Sequence, residues 1–221
     1  MELTKYGLKT NFKTNDLYEI GVDEAGRGPL FGRVYAAAVV LPKDNSFNHE
    51  LMRDSKKFTS KTKIQEASEY IKTNAIAWSV QYADEVTIDK INIRQSVLQC
   101  MHNAITDVIQ QLNTYKVQLL IDGNDFKPYT YIHQDMLEHL PHVTIKGGDN
   151  VYTSIAAASI IAKVSRDQYI KGLCDLHPEL EELYGIASNK GYAAKRHRDG
   201  IQQHGITQWH RKTYGICKEH I

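Results

Sequence analysis

With 221 residues, 42% of them hydrophobic, the chain is long enough for one large globular domain, or for one domain with a small appendage. Its three cysteines lie far apart without a CxxC or Cys/His cluster, which speaks against a disulfide framework or structural zinc site and favours a reduced, intracellular protein. The net charge is only +1, but residues 186–221 carry seven Lys or Arg against two Asp or Glu, which suggests an anionic partner, although charge alone favours a merely solvated surface.

The apolar pattern argues against secretion and against membrane insertion. The N-terminal stretch MELTKYGLKT lacks the apolar core of a signal peptide. The longest apolar stretch, VYAAAVVLP, is too short to cross a bilayer. We therefore expect a soluble, cytoplasmic protein with no membrane partner.

The first half of the chain contains short apolar runs and one amphipathic segment. Residues 1–16 are polar and aperiodic, which predicts an irregular lead-in. The runs LYEIGV at 17–22 and VYAAAVVL at 34–41 predict strands, the second buried on both faces. A helix is predicted over 59–72 and a strand over 75–83.

The second half begins with the clearest helix of the chain. Apolar residues recur at spacings of three, four and seven across 88–112, near the helical period. Strands are predicted at 117–121 and 142–145, followed by a helix rich in small residues at 154–170. Pro178 opens another short helix, because proline suits the first helical position.

Beyond residue 186 the pattern predicts a loop, a helical stretch near 193–203 and an aromatic, basic tail. The order of three strands, a long helix, two strands and further helices fits neither an all-β fold nor strict β-α alternation. We therefore predict an α/β fold with a mixed five-stranded sheet flanked by helices. Its expected parts are a core at 1–185 and a C-terminal helical, basic segment at 186–221.

Acidic residues mark the ends of two predicted strands. Asp23 and Asp122 each lie where an apolar strand gives way to glycine, and Glu24 follows Asp23 directly. If the strands are parallel neighbours, their carboxylates converge and repel one another unless a cation neutralises them. Oxygen ligands suit Mg²⁺ or Mn²⁺, and two such ions about 3.5–4 Å apart can cleave a phosphodiester. Taken alone, Asp122 before glycine would be an ordinary turn residue.

The sequence offers two candidates for a further carboxylate. Asp149, in KGGDN, precedes the alanine-rich helix, and helix capping is its simplest role. Asp167, in SRD, lies 18 residues later on the same helix, about 27 Å away, so both cannot bind one metal. We prefer Asp149 as the ligand because it lies in the loop, and we assign Asp167 to a salt bridge or to a supporting role.

A series of ordered motifs extends over most of the chain. It begins with GVDEAGRGPLFGRVYAAAVVLP and RDSKKFTSKTK, continues with IDKINIRQSVLQCMHNAI, LLIDGN, KGGD and SIAAASIIAKVSRD, and ends with GYAAKRH and WHRKTYG. Together these motifs resemble those of the type 2 ribonucleases H, the bacterial ribonuclease HII group. The resemblance covers residues 18–214, and the number and order of the motifs make it highly specific.

The resemblance implies a ribonuclease H-like fold with an added C-terminal helical segment. It implies two-metal, Mg²⁺- or Mn²⁺-dependent hydrolysis of the RNA strand of RNA–DNA hybrids. It also implies incision 5′ of a ribonucleotide embedded in duplex DNA, leaving 3′-hydroxyl and 5′-phosphate ends. The four catalytic, metal-binding carboxylates would be Asp23, Glu24, Asp122 and Asp149. A monomer that binds hybrid and ribonucleotide-containing duplex DNA is expected.

Two elements are implied to select the substrate. The family's Gly-Arg-Gly element corresponds to Gly26, Arg27 and Gly28, and it reads the ribose 2′-hydroxyl largely through backbone groups. Glycine permits a close approach to the sugar, and the 2′-hydroxyl distinguishes RNA from DNA. Tyr192 matches the family's junction-sensing tyrosine, whose ring packs on the sugar of the following deoxynucleotide. Only the GY…H match singles it out among thirteen tyrosines.

Four lysines are weaker candidates for phosphate contacts. They are Lys56, Lys57, Lys146 and Lys163. A lysine near a nucleic-acid site often contacts the phosphate backbone. Any single lysine, however, is more often just solvated.

Three residues depart from the usual family pattern. Phe31 replaces a small residue and Arg33 a proline, and neither has an explanation at the level of sequence. Ala194 replaces a threonine close to Tyr192. The lost hydroxyl predicts weaker discrimination at the RNA–DNA junction, with the metal chemistry intact.

Two other functions stay open on the residues alone. A ribonuclease H-like nuclease or transferase acting on DNA would share the carboxylates, but Arg27 between glycines and the Tyr192 segment argue against it. A catalytically idle hybrid-binding module could dispense with the carboxylates, and all four are present.

Overall fold

A five-stranded sheet forms the centre of the computed structural model, which describes residues 2–13 and 16–220. The strands of this sheet are β1 (Tyr18–Ala25), β2 (Val34–Val40), β3 (Ala77–Ala83), β4 (Val117–Asp122) and β7 (His142–Ile145), and β5 (Thr130–His133) and β6 (Met136–His139) form a separate hairpin. The order is β3-β2-β1-β4-β7; the β1–β4 and β4–β7 pairs are parallel, and the other two pairs are antiparallel. The predicted mixed five-stranded sheet is confirmed.

Helices cover both faces of the sheet. The α-helices of the described residues are α1 (Lys61–Asn74), α2 (Glu85–Ile91), α3 (Ile93–Leu112), α4 (Thr153–Leu176), α5 (Glu179–Tyr184), α6 (Ile186–Asn189) and α7 (Lys195–His204). Helix α3 packs on one face of the sheet, and α4 together with α1 packs on the other. Within the same residues, no helix has both the length and the apolar character that spanning a membrane requires.

Helix α4 lies unusually close to β1. A Cβ atom on Gly21 would lie 2.2 Å from the carbonyl carbon of Ser154, so only glycine permits this approach. The small side chains in the first turns of α4, Ala156 to Ala158, are fully buried against the sheet. The alanine-rich composition noted in the sequence therefore places the α4 backbone directly over the strand that carries Asp23.

The prediction of one helix over 88–112 is wrong, because the chain breaks at Asn92. This residue has φ of 65°, in the left-handed region that asparagine tolerates better than most residues. Its side chain accepts a hydrogen bond from the Gln95 N–H and caps α3. Since Ile88 and Val97 belong to the same buried cluster on either side of the break, the apolar periodicity does not reveal it.

Other boundaries also shift. β1 continues three residues beyond the predicted end at 22, because β2 pairs with Asp23, Glu24 and Ala25. Helix α4 continues to Leu176, and α7 begins at Lys195. The β5–β6 hairpin was not predicted, because its residues are mostly exposed and show no buried period.

The C-terminal segment packs into the body of the protein. Ile186, Ile201 and Cys217 share a buried cluster with Phe31, from the loop after β1, and with Ile170 of α4. Loop, helix α4 and C-terminal segment therefore have a common core, which sets the position of the residues that follow β1.

Candidate active site

Two carboxylates meet at the ends of the parallel strands β1 and β4. The register pairs Val22 with Ile121, so Asp23 and Asp122 are the next residues of neighbouring strands. Val22 and Ile121 pack in the α3 layer, so the alternation of side chains places both aspartates on the α4 face. The same alternation turns Glu24 towards α3, where it lines a small cavity with residues of that helix; at the end of the strand it also borders the cavity that contains Tyr192. The convergence of Asp23 and Asp122 was expected only if their strands were parallel neighbours, and the parallel pairing of β1 with β4 is confirmed.

The electrostatics of these carboxylates are unfavourable without a cation. Burial, and next the charges of Asp122 and Glu24, raise the pKa of Asp23 well above its usual value. Burial also raises the pKa of Glu24, while the nearby Arg27 opposes that rise. A bound dication would relieve this repulsion, because it stabilises the charged form of every carboxylate around it.

Asp149 joins the group from the loop between β7 and α4. It lies in a 3₁₀ turn, Gly148–Asn150, whose Gly148 N–H donates a hydrogen bond to Asp122 Oδ1 at 2.6 Å. Burial and the charges of Asp54 and Asp122 raise the pKa of Asp149. The alternative role of capping α4 does not apply, because the N-cap of that helix is Tyr152.

Asp167 lies on the uninterrupted helix α4 and pairs with Lys163 at 3.1 Å. The helix runs from Thr153 to Leu176 without a break, so Asp167 is carried away from the turn that holds Asp149. This position fits the salt-bridge role considered from the sequence.

The donor set fits a hard divalent ion, although the side chains are not gathered around one point. Among residues 2–13 and 16–220, no group of three or more His, Cys, Asp or Glu side chains is close enough to hold a metal ion. Two of the carboxylates form ion pairs instead: Arg27 lies 3.7 Å from Glu24, and Lys56 lies 3.7 Å from Asp149. Four carboxylates without imidazole or thiolate fit Mg²⁺ or Mn²⁺. Ion binding would exchange these partners for the cation.

The glycine loop after β1 lies beside Tyr192. A Cβ on Gly28 would come to 3.7 Å from Cε1 of Tyr192. Gly26 has φ of 91°, and a Cβ there would lie 2.2 Å from Nε of Arg166. Both backbone conformation and packing therefore require glycine at position 26. The tyrosine is 51% exposed, and the Arg166 guanidinium lies 5.9 Å from its ring centroid.

A cavity of about 320 Å³ brings most of the predicted residues together. Its walls include Glu24, Gly26, Arg27, Gly28, Lys56, Lys163, Asp167 and Tyr192. Five predicted residues do not line this cavity. Lys57 instead donates a hydrogen bond to Asn150, Lys146 is exposed after β7, and the carboxylates Asp23, Asp122 and Asp149 lie outside its walls.

Arg211, which the sequence did not single out, shapes the glycine loop. It is fully buried and donates to the carbonyl oxygens of Gly32, Arg27 and Gly26 at 2.8, 3.0 and 2.6 Å. Arg166 also holds this loop, since its guanidinium donates to the carbonyl oxygens of Arg33 and Phe31 at 3.2 and 3.3 Å, and it joins the loop to the Lys190 carbonyl at 2.8 Å. The only sequence signal was the WHRKTYG motif, in which an arginine of a basic tail is indistinguishable from a surface charge.

The structure explains the two unusual residues near the glycine loop. Phe31 is fully buried and packs edge-on against His210, with ring centroids 5.1 Å apart. The Arg33 guanidinium lies over the rings of Tyr82 and Tyr169, at 4.0 and 4.4 Å from their centroids. Both residues therefore anchor the end of the loop, one to the C-terminal segment and the other to aromatic side chains of β3 and α4.

Comparison with known proteins gives a consistent result. The family model described as Ribonuclease HII matches residues 20–217. Ribonuclease HII of Bacteroides thetaiotaomicron is 44% identical over 205 residues, which cover 93% of each chain. The crystal structure of ribonuclease H2 from Pyrococcus horikoshii OT3 matches with a TM-score of 0.68 and 20% identity, over 92% of this chain and 96% of that one. The structure of Bst-RNase HIII in complex with Mn²⁺ has a TM-score of 0.67 and 16% identity, over 92% of this chain and 68% of that one.

Proposed function

Because the chain belongs to the ribonuclease HII family and is a metal-dependent type 2 ribonuclease H, we propose that Asp23, Glu24, Asp122 and Asp149 are its metal-binding carboxylates. The observation that carries this assignment is the parallel register that sets Asp23 beside Asp122. The raised pKa of Asp23, caused by burial and the neighbouring negative charges, supports it. The chemistry that two Mg²⁺ or Mn²⁺ ions supply when bound is activation of water and stabilisation of the leaving oxygen.

The proposed substrate-binding residues lie around the cavity that contains Tyr192. The exposed backbone of Gly28 is open to the close approach of a ribose, because a Cβ there would meet only Tyr192, whereas the space beside Gly26 is filled by Arg166. Tyr192 faces the same cavity and can pack on the adjacent sugar. Arg27 and Lys56, which a bound ion would release from Glu24 and Asp149, supply positive charge for the sugar-phosphate backbone, and Lys163 lies in the same cavity as an ion pair with Asp167. Incision 5′ of an embedded ribonucleotide follows if the glycine loop reads the 2′-hydroxyl next to the carboxylates.

Duplex DNA with embedded ribonucleotides is the substrate of a repair process that removes those ribonucleotides. We propose that it acts as a monomer in the cytoplasm, in ribonucleotide excision repair. The three cysteines, Cys100, Cys174 and Cys217, are free thiols, in keeping with a reducing compartment. Gel filtration of the purified chain, with and without substrate, tests the monomeric state.

The deciding experiment uses duplex DNA with a single embedded ribonucleotide and an all-DNA duplex of the same sequence. With Mg²⁺ or Mn²⁺ added to metal-free protein, the wild type is expected to incise only the first, on the 5′ side of the ribonucleotide. Incision of the all-DNA duplex would favour a DNA nuclease. Binding without metal-dependent incision would favour an idle binding module, and would overturn the enzymatic assignment.

The Asp122→Asn variant tests the metal-binding carboxylates. Asparagine keeps an oxygen that can accept the Gly148 hydrogen bond, so the fold is expected to persist. Loss of the charge is expected to lower kcat by more than about 100-fold while substrate binding is retained. Incision at the wild-type rate would remove Asp122 from the proposed site.

A further inference from the structure

A groove with surplus lysines continues from the candidate active site. It has a volume of about 360 Å³ and is lined by residues of α1, α4 and the α6 region. It shares Asp167 and Lys190 with the cavity that contains Tyr192. The two therefore form one continuous depression that extends past the glycine loop.

Lys190 occupies a fixed position in this depression. It has φ of 56° as the C-cap of α6, and its carbonyl oxygen accepts the 2.8 Å hydrogen bond from Arg166. The next two residues are Gly191 and Tyr192. Lys190 is half-buried, yet none of the ion pairs formed within residues 2–13 and 16–220 includes it. Partial burial of a charge without a counter-ion is unfavourable, so an anion at this point would stabilise the protein.

Two neighbouring lysines further destabilise the charged form of Lys190. Burial lowers the pKa of Lys190, and the positive charges of Lys61 and Lys163 lower it further. Asp167 opposes that effect, but its side chain is paired with Lys163 at 3.1 Å.

The remaining charges of the groove cancel. Lys171 pairs with Asp175 at 2.6 Å on the outer surface of α4. With Lys163 and Asp167 also paired, the surplus positive charge belongs to Lys61, at the start of α1, and Lys190.

We propose that Lys61 and Lys190 together bind a backbone phosphate of the nucleic acid beyond Tyr192, outside the scissile bond. This inference rests on the proposed function, because the depression connects to the site that it assigns. The substrate carries a phosphodiester anion at every nucleotide. Because the groove is continuous with the candidate active site, a strand bound there can extend to these lysines, whereas binding of a small free anion would not require that connection. Contacts of this kind fix the position of the strand without reading its sequence.

Salt dependence of binding tests the proposal. Binding of the single-ribonucleotide duplex is measured by fluorescence anisotropy in EDTA, which prevents cleavage, across a series of salt concentrations. Loss of one phosphate contact in Lys190→Gln or Lys61→Gln is expected to reduce the slope of log K against log salt by about 0.9. The matched control is Lys116→Gln, which should leave the slope unchanged. Lys116 is exposed and precedes β4, at the opposite end of that strand from Asp122.

A methylphosphonate scan then locates the contact. Neutral linkages are placed one at a time along the ribonucleotide-containing strand. Wild type is expected to lose affinity at one linkage beyond the ribonucleotide where Lys190→Gln loses none. If the variant and the wild type give the same scan and the same salt slope, the proposal is overturned. If the variant weakens binding equally at every linkage, Lys190 contributes only a general field, and the proposal again fails.

These outcomes are separable from failure of the proposed function. Wild-type incision at the ribonucleotide combined with unchanged binding by Lys190→Gln would overturn only the phosphate site. Absence of incision by the wild type would overturn the proposed function, whatever the salt slopes.

Discussion

At the scale of single residues, the glycine loop takes its shape from an arginine near the other end of the chain. The planar guanidinium of Arg211 satisfies carbonyl oxygens of Gly26, Arg27 and Gly32 at once. A lysine has a single ammonium group and cannot reproduce this fork. The buried carbonyls that it leaves without partners would each destabilise the fold by about 1–3 kcal/mol.

The variant Arg211→Lys should therefore lower both stability and ribonucleotide recognition. We expect kcat/KM on the single-ribonucleotide duplex to fall by about 10-fold or more, which corresponds to one lost interaction of about 1.4 kcal/mol. The matched control is Arg196→Lys, whose exposed guanidinium also donates to backbone carbonyls, of Glu181 and Glu182. Steady-state kinetics and thermal denaturation give the result, and wild-type kinetics in Arg211→Lys would rule out the positioning role.

Ala194 has a structural role that the sequence did not suggest. It is the N-cap residue of α7, with φ of −64° and ψ of 159°, and no side chain caps the helix there. Threonine at an N-cap accepts a hydrogen bond from the first turn and adds about 1 kcal/mol. A threonine at position 194 of this chain would therefore be expected to cap α7, in addition to any effect on junction sensing.

The Ala194→Thr variant separates the two roles. Its melting temperature should rise by about 2–4 °C if the hydroxyl caps α7. Preference for a single embedded ribonucleotide over an all-RNA strand should also rise if the hydroxyl supports Tyr192. Unchanged junction preference with a raised melting temperature would reject the junction hypothesis and keep the capping role.

At the scale of elements, a buried histidine pair connects α7 to the C-terminal loop. His210 Nδ1 accepts a hydrogen bond from the Thr207 N–H at 2.9 Å, so its Nε2–H donates to His197 Nε2 at 3.1 Å. His197 Nδ1–H then donates to the Tyr192 carbonyl at 2.9 Å. These tautomers follow from the partners, and they require both rings to be neutral.

This pair makes stability depend on pH. Burial, and next the repulsion from His197 in its protonated form, lower the pKa of His210 to about 3, below its ordinary value of 6.5. The unfolded chain therefore binds the proton first, so stability is complete above about pH 6.5 and is lost as the pH falls towards 3. At about pH 5 the loss from His210 is about 2 kcal/mol.

Thermal denaturation between about pH 7.5 and pH 5 checks this dependence against a His210→Gln variant. The variant should be less stable at neutral pH but should show a flatter profile. Buried carboxylates such as Asp23 have a raised pKa and contribute in the opposite direction, but they are common to both proteins. The difference between the two profiles therefore reports the histidine pair, His210 with its neighbour His197, whose pKa burial also lowers. Parallel profiles would show that His210 does not titrate in this way.

At the scale of the whole molecule, the C-terminal segment is expected to unfold together with the rest of the chain. Its core is shared with the loop after β1 and with α4, through Phe31 and Ile170. The division at residue 185 stays a prediction, but this shared core argues against an independently folding segment. Elements with a common core melt in one transition.

The two tryptophans give a direct test of cooperativity. Trp78 lies in β3 and Trp209 in the C-terminal segment, so Trp78→Phe and Trp209→Phe each leave one reporter. We expect the urea transitions of the two variants, followed by fluorescence, to coincide once corrected for the stability change of each substitution. Earlier loss of the Trp209 signal would indicate a separate folding unit.

The sequence by itself determined the strands of the central sheet and the carboxylates at their ends. Apolar runs such as 117–121 are local signals, and Asp122 follows such a run directly. The break at Asn92 escaped detection, because it leaves the apolar face continuous. The assignment of these carboxylates as metal ligands stays a prediction, because the ions would bind to the folded protein.

Only the tertiary structure decided how the glycine loop is held. Arg211 and Gly26 are 185 positions apart along the chain, and no periodicity relates them. Their contact depends on how the C-terminal segment packs against β1 and α4. The physical reason is that secondary structure follows from local side-chain periodicity, whereas a buried hydrogen bond depends on the arrangement of every element around it.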